Sequence, residues 1–124
     1  MEFKIDTKNS YTEITPVTNH LNAILSDALC QKCRELTQSG SLNYIIDLHN
    51  CLDADKSAFD GLIALHEDCY NNERSLVFTG LSDNVANILK TEGITEVINI
   101  TPTIIEAIDI VNMEILERDL FKEE

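Results

Sequence analysis

The chain has 124 residues, of which 44% are hydrophobic and 25% are charged, as expected for a folded domain with its own core. Its 22 acidic and 9 basic residues give a net charge of −13, which argues against binding to nucleic acid or to an anionic membrane surface. No apolar run approaches the ~20 residues of a membrane span, and the first ten residues do not read as a signal peptide. We therefore expect a cytoplasmic protein without membrane insertion.

The amino-terminal third of the chain predicts two short strands and a helix. The segments at 3–5 and 11–17 are strand-like, and the second alternates polar and apolar residues as a strand with one wet face does. Apolar residues then recur at helical spacing from 21 to 36. Thr18 or Asn19 is the predicted cap at the start of this helix.

The rest of the chain alternates strands with helices. The predicted elements are a strand at 42–48, a helix at 55–72, a strand at 75–80, a helix at 82–93, a strand at 96–100 and a long helix at 101–121. Ser82 is a predicted cap, and Thr103 with Glu106 fits a capping box. The order ββαβαβαβα predicts an α/β fold with a mixed, mostly parallel sheet. Because no linker or repeat divides the chain, we expect residues 1–124 to form a single domain.

The chain contains four cysteines, and two of them form a CxxC pattern. Cys30 and Cys33 lie in the middle of a predicted helix, whereas a redox pair usually follows a strand at a helix start. Structural zinc usually requires two such pairs, but Cys51 and Cys69 are isolated in sequence. The favoured interpretation is reduced, partly buried core thiols, with a redox or metal-binding role as the alternative.

The segment LDADKSAFDGL, at 52–62, joins a predicted strand to a predicted helix and concentrates charged residues. Its carboxylates are either magnesium ligands or helix caps, and helix capping is favoured because acidic groups are stabilised at a helix amino terminus. His49 lies upstream of Ser57, but a serine nucleophile requires a base in hydrogen-bond reach and an orienting group. Glycine-rich phosphate loops and a nucleophile elbow are absent. We therefore expect no enzymatic activity, no cofactor and no metal.

Three longer segments carry a resemblance to a known family. YIIDLHNCLDADKSAFDGLIAL, SLVFTGLSDNVANIL and GITEVINITPTIIEAI resemble a STAS domain of the anti-sigma-factor antagonist type. Its signatures are matched by Asp47-Leu48 ahead of the turn, by Gly93-Ile94, and by the run at 102–107. The element order ββαβαβαβα also fits that fold. The resemblance covers about residues 2–113, which leaves 114–124 as an acidic extension of the last helix.

The resemblance implies a phosphorylation switch in the turn, and this sequence departs from it there. Members of the family bind an anti-sigma factor that is also a serine kinase, and phosphorylation of the serine after the aspartate ends binding. Here that position is Lys56, which is followed by Ser57 as the one candidate phosphoacceptor. The switch has therefore either moved to Ser57 or been lost. The resemblance places partner binding on the turn residues Asp53, Asp55, Lys56, Ser57, Ala58 and Asp60.

Two functions follow from this resemblance. The first is a non-enzymatic regulatory domain that binds an anti-sigma factor or related serine kinase through the turn and the neighbouring loop at 79–83. The alternative is a STAS-type scaffold subunit of a transport or signalling assembly with no phosphorylation switch. Ile115, Leu116 and Leu120 in the last helix have two interpretations: packing on the chain's own sheet, or contact with another protein, including a second copy in a homodimer.

Overall fold

A computed structural model describes residues 1–122 of the chain. Within that range the backbone forms seven strands and four α-helices. In chain order these are β1 Phe3–Thr7, β2 Thr12–Pro16, β3 His20–Leu21, α1 Ala23–Gln38, β4 Tyr44–Asp47, β5 Asp53–Ala54, α2 Phe59–Asn71, β6 Leu76–Thr79, α3 Asp83–Thr91, β7 Ile100–Thr101 and α4 Ile104–Lys122.

Five of the strands form one mixed sheet in the order β1-β2-β4-β6-β7. β1 and β2 are antiparallel, and all other pairs in this sheet are parallel. This arrangement confirms the predicted α/β class and the predicted mostly parallel sheet. The two remaining strands, β3 and β5, form a separate two-stranded parallel sheet that the sequence did not predict. Each has only two residues, too few for an alternating pattern to be read.

The core lies on both faces of the five-stranded sheet. Side chains alternate between the faces along a strand. Ile46 and Phe78 therefore belong to the cluster that includes residues of α1, α2 and α3. Their neighbours Ile45 and Val77 pack instead against α4. The central strands are buried on both faces, which explains why they read as continuous apolar runs.

Several predicted boundaries were wrong. Asn22, not Thr18 or Asn19, caps α1, and its side-chain oxygen accepts the Leu25 N–H at 3.0 Å. The predicted cap positions lie too early because His20 and Leu21 are in β3. The predicted strand at 96–100 is mostly non-strand: a 3-10 turn occupies Ile94–Glu96, and β7 starts only at Ile100.

Other local predictions at helix termini were confirmed, one of them only in part. The Oγ of Ser82 accepts the Val85 N–H at the start of α3. Thr103 caps α4 as predicted, because its Oγ1 accepts the Glu106 N–H at 3.3 Å. The Glu106 carboxylate accepts the Thr103 hydroxyl at 3.0 Å and not the Thr103 backbone N–H, so the predicted capping box is formed only in part. The predicted acidic extension at 114–124 continues α4 as far as residue 122, and residues 123 and 124 lie outside the described range. Among residues 1–122, none of the helices combines the length and the hydrophobicity of a membrane span.

Candidate functional site

The turn at residues 53–60, called the 53–60 turn below, is held by backbone pairing to a distant segment. β5 opens the turn and pairs with β3, where His20 lies opposite Asp53. The Leu52 N–H donates to the Asn19 carbonyl at 2.8 Å, and the Asp55 N–H donates to the Leu21 carbonyl at 2.9 Å. These bonds fix the turn beside the start of α1, at the carboxyl end of the central strands.

Two of the three turn carboxylates face a histidine. The Nε2 of His20 lies 2.9 Å from the Oδ2 of Asp55, and its Nδ1 lies 3.8 Å from the Oδ2 of Asp53. Hydrogen bonds from Ser57 and His20 hold the pKa of the Asp55 carboxyl below its ordinary value. The Nδ2 of Asn84 donates to the Oδ1 of Asp53 at 3.2 Å. Within residues 1–122 no group of three or more His, Cys, Asp or Glu side chains is placed to hold a metal ion.

Asp55 also caps the 3-10 turn at Lys56–Ala58, which precedes α2. Its Oδ1 accepts the backbone N–H of Ser57 at 2.9 Å. This contact confirms the predicted capping role and shows that the helix predicted from residue 55 begins with a 3-10 turn. Asp60 lies in the first turn of α2 and is exposed, where its negative charge is favourable to the helix amino terminus.

The hydroxyl of Ser57 makes two hydrogen bonds within the fold. Its Oγ accepts the N–H of Ala23, the first residue of α1, at 3.0 Å. It also donates to the Oδ1 of Asp55. The amino-terminal N–H groups of a helix have no partner within the helix, so Ser57 supplies one of them with an acceptor. Ser57 therefore connects the turn to α1, although the residue itself is exposed.

Lys56 extends away from the turn and is paired with α3's carboxyl end. Its side chain is 77% exposed, and its Nζ lies 3.2 Å from the Oε1 of Glu92. Ala58, two residues later, is fully buried, and its carbonyl accepts the hydroxyl of Ser26 at 2.7 Å. The side chain of Lys56 is therefore directed toward solvent, whereas that of Ala58 packs inside the fold.

The start of α3, just after the loop that follows β6, contacts the 53–60 turn and the residue before it. That the loop at 79–83 shares a docking surface with the turn stays a prediction. The Nδ2 of Asn84 donates to the Leu52 carbonyl at 3.0 Å, which ties the start of α3 to the turn. Gly80, at the beginning of this loop, has a φ of +74°, and a Cβ there would lie 2.2 Å from the Oδ1 of Asp47. Glycine suits both the positive φ and this close approach, so Gly80 lets the loop pass directly against the end of β4.

The structure does not bring His49 to Ser57. The Nδ1 of His49 lies 3.0 Å from the Oδ1 of Asp47, which also accepts the His49 backbone N–H. The hydroxyl of Ser57 instead contacts Asp55 and the backbone of Ala23. The histidine at the turn is His20, so the described contacts do not assemble a serine, a base and an orienting group.

The four cysteines are free thiols that belong to the core or its edge. Burial raises the pKa of Cys51 to about 11 and that of Cys69 to about 12, and it also raises the pKa of Cys33 and Cys30. Thiolates, not thiols, react and bind metals. The structure therefore favours the predicted packing role over redox chemistry.

Sequence reasoning found the turn but missed three of the residues that shape it. His20, Asn84 and Glu92 come from outside the turn, and each contacts it through a side chain. His20 arrives through the short pairing of β3 with β5, and Glu92 through the packing of α3 beside the turn. Neither feature has a local sequence pattern that would have revealed it.

Comparisons with known proteins agree with this architecture. A search of curated proteins found no match. The fold is similar to that of an anti-sigma factor antagonist from Mycobacterium paratuberculosis, with 14% identity, a TM-score of 0.74, and coverage of 90% of this chain and 93% of that chain. The anti-sigma factor antagonist SpoIIAA of Bacillus, in its unphosphorylated form, is 15% identical with a TM-score of 0.68, and the coverage is 90% and 96%.

A larger protein also contains this fold. The murine anion transporter Slc26a9, solved in its inward-facing state, is 16% identical over 87% of this chain and 18% of the transporter, with a TM-score of 0.71. At such low identities these likenesses show the fold alone. The family model for the STAS domain, however, matches residues 5–107 of the sequence directly. This chain therefore belongs to the STAS domain family.

Proposed function

We propose that this chain is a non-enzymatic binding module that acts in the cytoplasm as an anti-sigma-factor antagonist. Its partner is an anti-sigma factor or a related serine kinase with a basic contact face. Support comes from the family and from the exposed acidic residues of the 53–60 turn, namely Asp53, Asp55 and Asp60. Complementary charge at such a surface steers association and selects the partner.

The proposal rests on the two residues that follow Asp55: the residue type at position 56 and the hydrogen bonds of Ser57. Lys56 stands where the family resemblance expects the phosphorylated serine, and a lysine neither accepts phosphate in that chemistry nor mimics it. Ser57 uses its hydroxyl to bind Asp55 and to accept the N–H of Ala23. We infer that the switch is lost and that the binding form is permanent.

Phosphorylation of Ser57 meets a physical obstacle. A phosphate carries nearly two negative charges, and at Ser57 it would lie next to the Asp55 carboxylate and near Asp53. Lys56 and the start of α1 offset part of this repulsion because both favour an anion. The kinase would first have to separate the hydroxyl from both of its partners. These contacts favour a structural role for Ser57 over a shifted switch.

The alternative is a scaffold subunit in a transport or signalling assembly. Slc26a9 contains a region of this fold within a much longer transporter chain, which supports the use of such a domain as a subunit. In that case the 53–60 turn is structural only. Substitutions on the turn would then leave the assembly intact.

Binding to the anti-sigma factor kinases of the source organism, each purified and titrated against this chain by calorimetry, tests the proposal. Asp60→Arg reverses an exposed charge at the start of α2, and we expect binding to weaken by about tenfold or more. Lys56→Glu breaks the Lys56–Glu92 pair and adds negative charge to the exposed turn, so it should bind a basic contact face at least as tightly as wild type. Asp119→Arg makes the same charge change on α4, across the sheet, and should leave the affinity unchanged. Equal affinities for all four proteins would contradict binding through the turn.

A further inference from the structure

α4 presents apolar side chains on two opposite faces, and only one of them is covered. The inner face buries Ala107 and Val111 against the sheet. The outer face exposes four large apolar side chains: Ile105 at 69%, Met113 at 59%, Leu116 at 60% and Leu120 at 56%. At 100° per residue these four lie within an arc of about 80° around the helix axis. They are called the outer stripe below.

The outer stripe is too regular to be scattered surface exposure. Single exposed apolar residues are normal, but a continuous set on one face of a helix marks an interaction surface. Met113, Leu116 and Leu120 form such a set, whereas exposed Asp109 lies between them and Ile105 along the helix. Residues 113, 116 and 120 follow the three-four spacing of a helix–helix seam. From residue 105 to residue 120 the stripe spans roughly 22 Å, which is enough for one partner helix of about four turns.

The charges around the outer stripe identify the kind of helix that fits it. Asp109 lies within the arc, Glu117 and Asp119 flank it, and all three are exposed. Arg118 points to the other side, where its guanidinium donates to the Oγ of Ser75 and the Oδ1 of Asn43, each at 3.0 Å. By helical spacing Lys122 falls on the same side as Arg118. The rim of the stripe is therefore acidic.

We propose that the outer stripe docks one amphipathic helix of a partner protein whose apolar residues are flanked by lysine and arginine. A second copy of this chain would bring acidic rims together, and an anionic lipid surface would be repelled in the same way. The docked helix would lie across the sheet from α1 and α2. This surface is therefore separate from the 53–60 turn, and both partners can bind at once.

Three synthetic helical peptides test the proposal by fluorescence anisotropy with the full chain. One has leucines at heptad a and d positions flanked by lysines, the second replaces the lysines with glutamates, and the third is a scrambled version of the first. We expect the first to bind at least about tenfold more tightly than the other two. The double variant Leu116→Ser with Leu120→Ser should lose this binding, whereas Val17→Ser, which removes an exposed apolar side chain elsewhere, should keep it. Asp119→Arg should weaken it.

Three results would overturn the proposal. The first is equal binding of the lysine-flanked and scrambled peptides, which would mean that net charge alone attracts them. The second is a wild-type dimer in sedimentation velocity that the double variant converts to a monomer, which would make a second copy the occupant. Amide shifts in a titration with the lysine-flanked peptide should map to α4, and shifts confined to another region would also contradict docking on the outer stripe.

Discussion

Replacing Ser57 with alanine tests whether the Ser57 hydroxyl stabilises the fold, as a structural role requires. The hydroxyl accepts the Ala23 N–H at 3.0 Å and donates to Asp55. Alanine removes both bonds, while Asn22 still caps α1 through the Leu25 N–H. Loss of one such cap costs about 1 kcal/mol, in a range of roughly 0.5–2 kcal/mol. For a domain of this length, a loss of that size lowers Tm by about 3–5 °C.

Urea unfolding followed by circular dichroism measures the free energy of unfolding of this variant. Ser82→Ala is the matched control because it removes the acceptor of the Val85 N–H at the start of α3. We expect both variants to lose about 1 kcal/mol. A stability for Ser57→Ala within about 0.3 kcal/mol of wild type, together with the expected loss for Ser82→Ala, would refute the structural role of the Ser57 hydroxyl.

Three further predictions concern the core and the edge of the sheet. Gly80→Ala should lower the free energy of unfolding by roughly 2 kcal/mol or more, because the alanine would have a positive φ and its Cβ would approach Asp47. Gly93→Ala is the control: its φ is +77° but the space around it is open, so it should lose only about 1 kcal/mol. Equal losses for the two variants would exclude a contribution from the Asp47 contact. Burial lowers the pKa of His66, so the unfolded chain binds a proton at this side chain more readily than the folded chain, and the free energy of unfolding should fall as the pH drops from about 7 to about 5. His66→Phe should reduce this fall, and an unchanged dependence of stability on pH would contradict the prediction. Iodoacetamide should label Cys30 first in the native protein because the other thiols are buried, and peptide mass spectrometry showing another site first would contradict this order.

The parts of the fold that the sequence predicted are those with local or periodic signals. The central strands could be predicted because residues 44–46 and 76–78 are buried and form short runs of apolar and aromatic side chains. The caps at Ser82 and Thr103 were readable because each acts on its own helix only three residues away.

The parts that it did not predict depend on contacts between distant segments. β3 and β5 have two residues each, and they exist because His20 and Leu21 pair with the turn more than 30 residues later. The same pairing keeps His20 and Leu21 in a strand, so α1 starts after them and Asn22 is its cap. The two apolar faces of α4 could be predicted only in part. The apolar residues Leu116 and Leu120 are evident in the sequence, but which face of the helix packs on the sheet depends on its contacts with distant strands.

The most direct test of a permanently active binding turn is incubation of the complex with ATP. Each anti-sigma factor kinase that binds this chain is mixed with it and ATP, and the mixture is followed by size-exclusion chromatography and intact-mass spectrometry. We predict that the complex persists and that the mass of this chain does not change. A gain of one phosphate on Ser57 together with dissociation of the complex would contradict the loss of the switch.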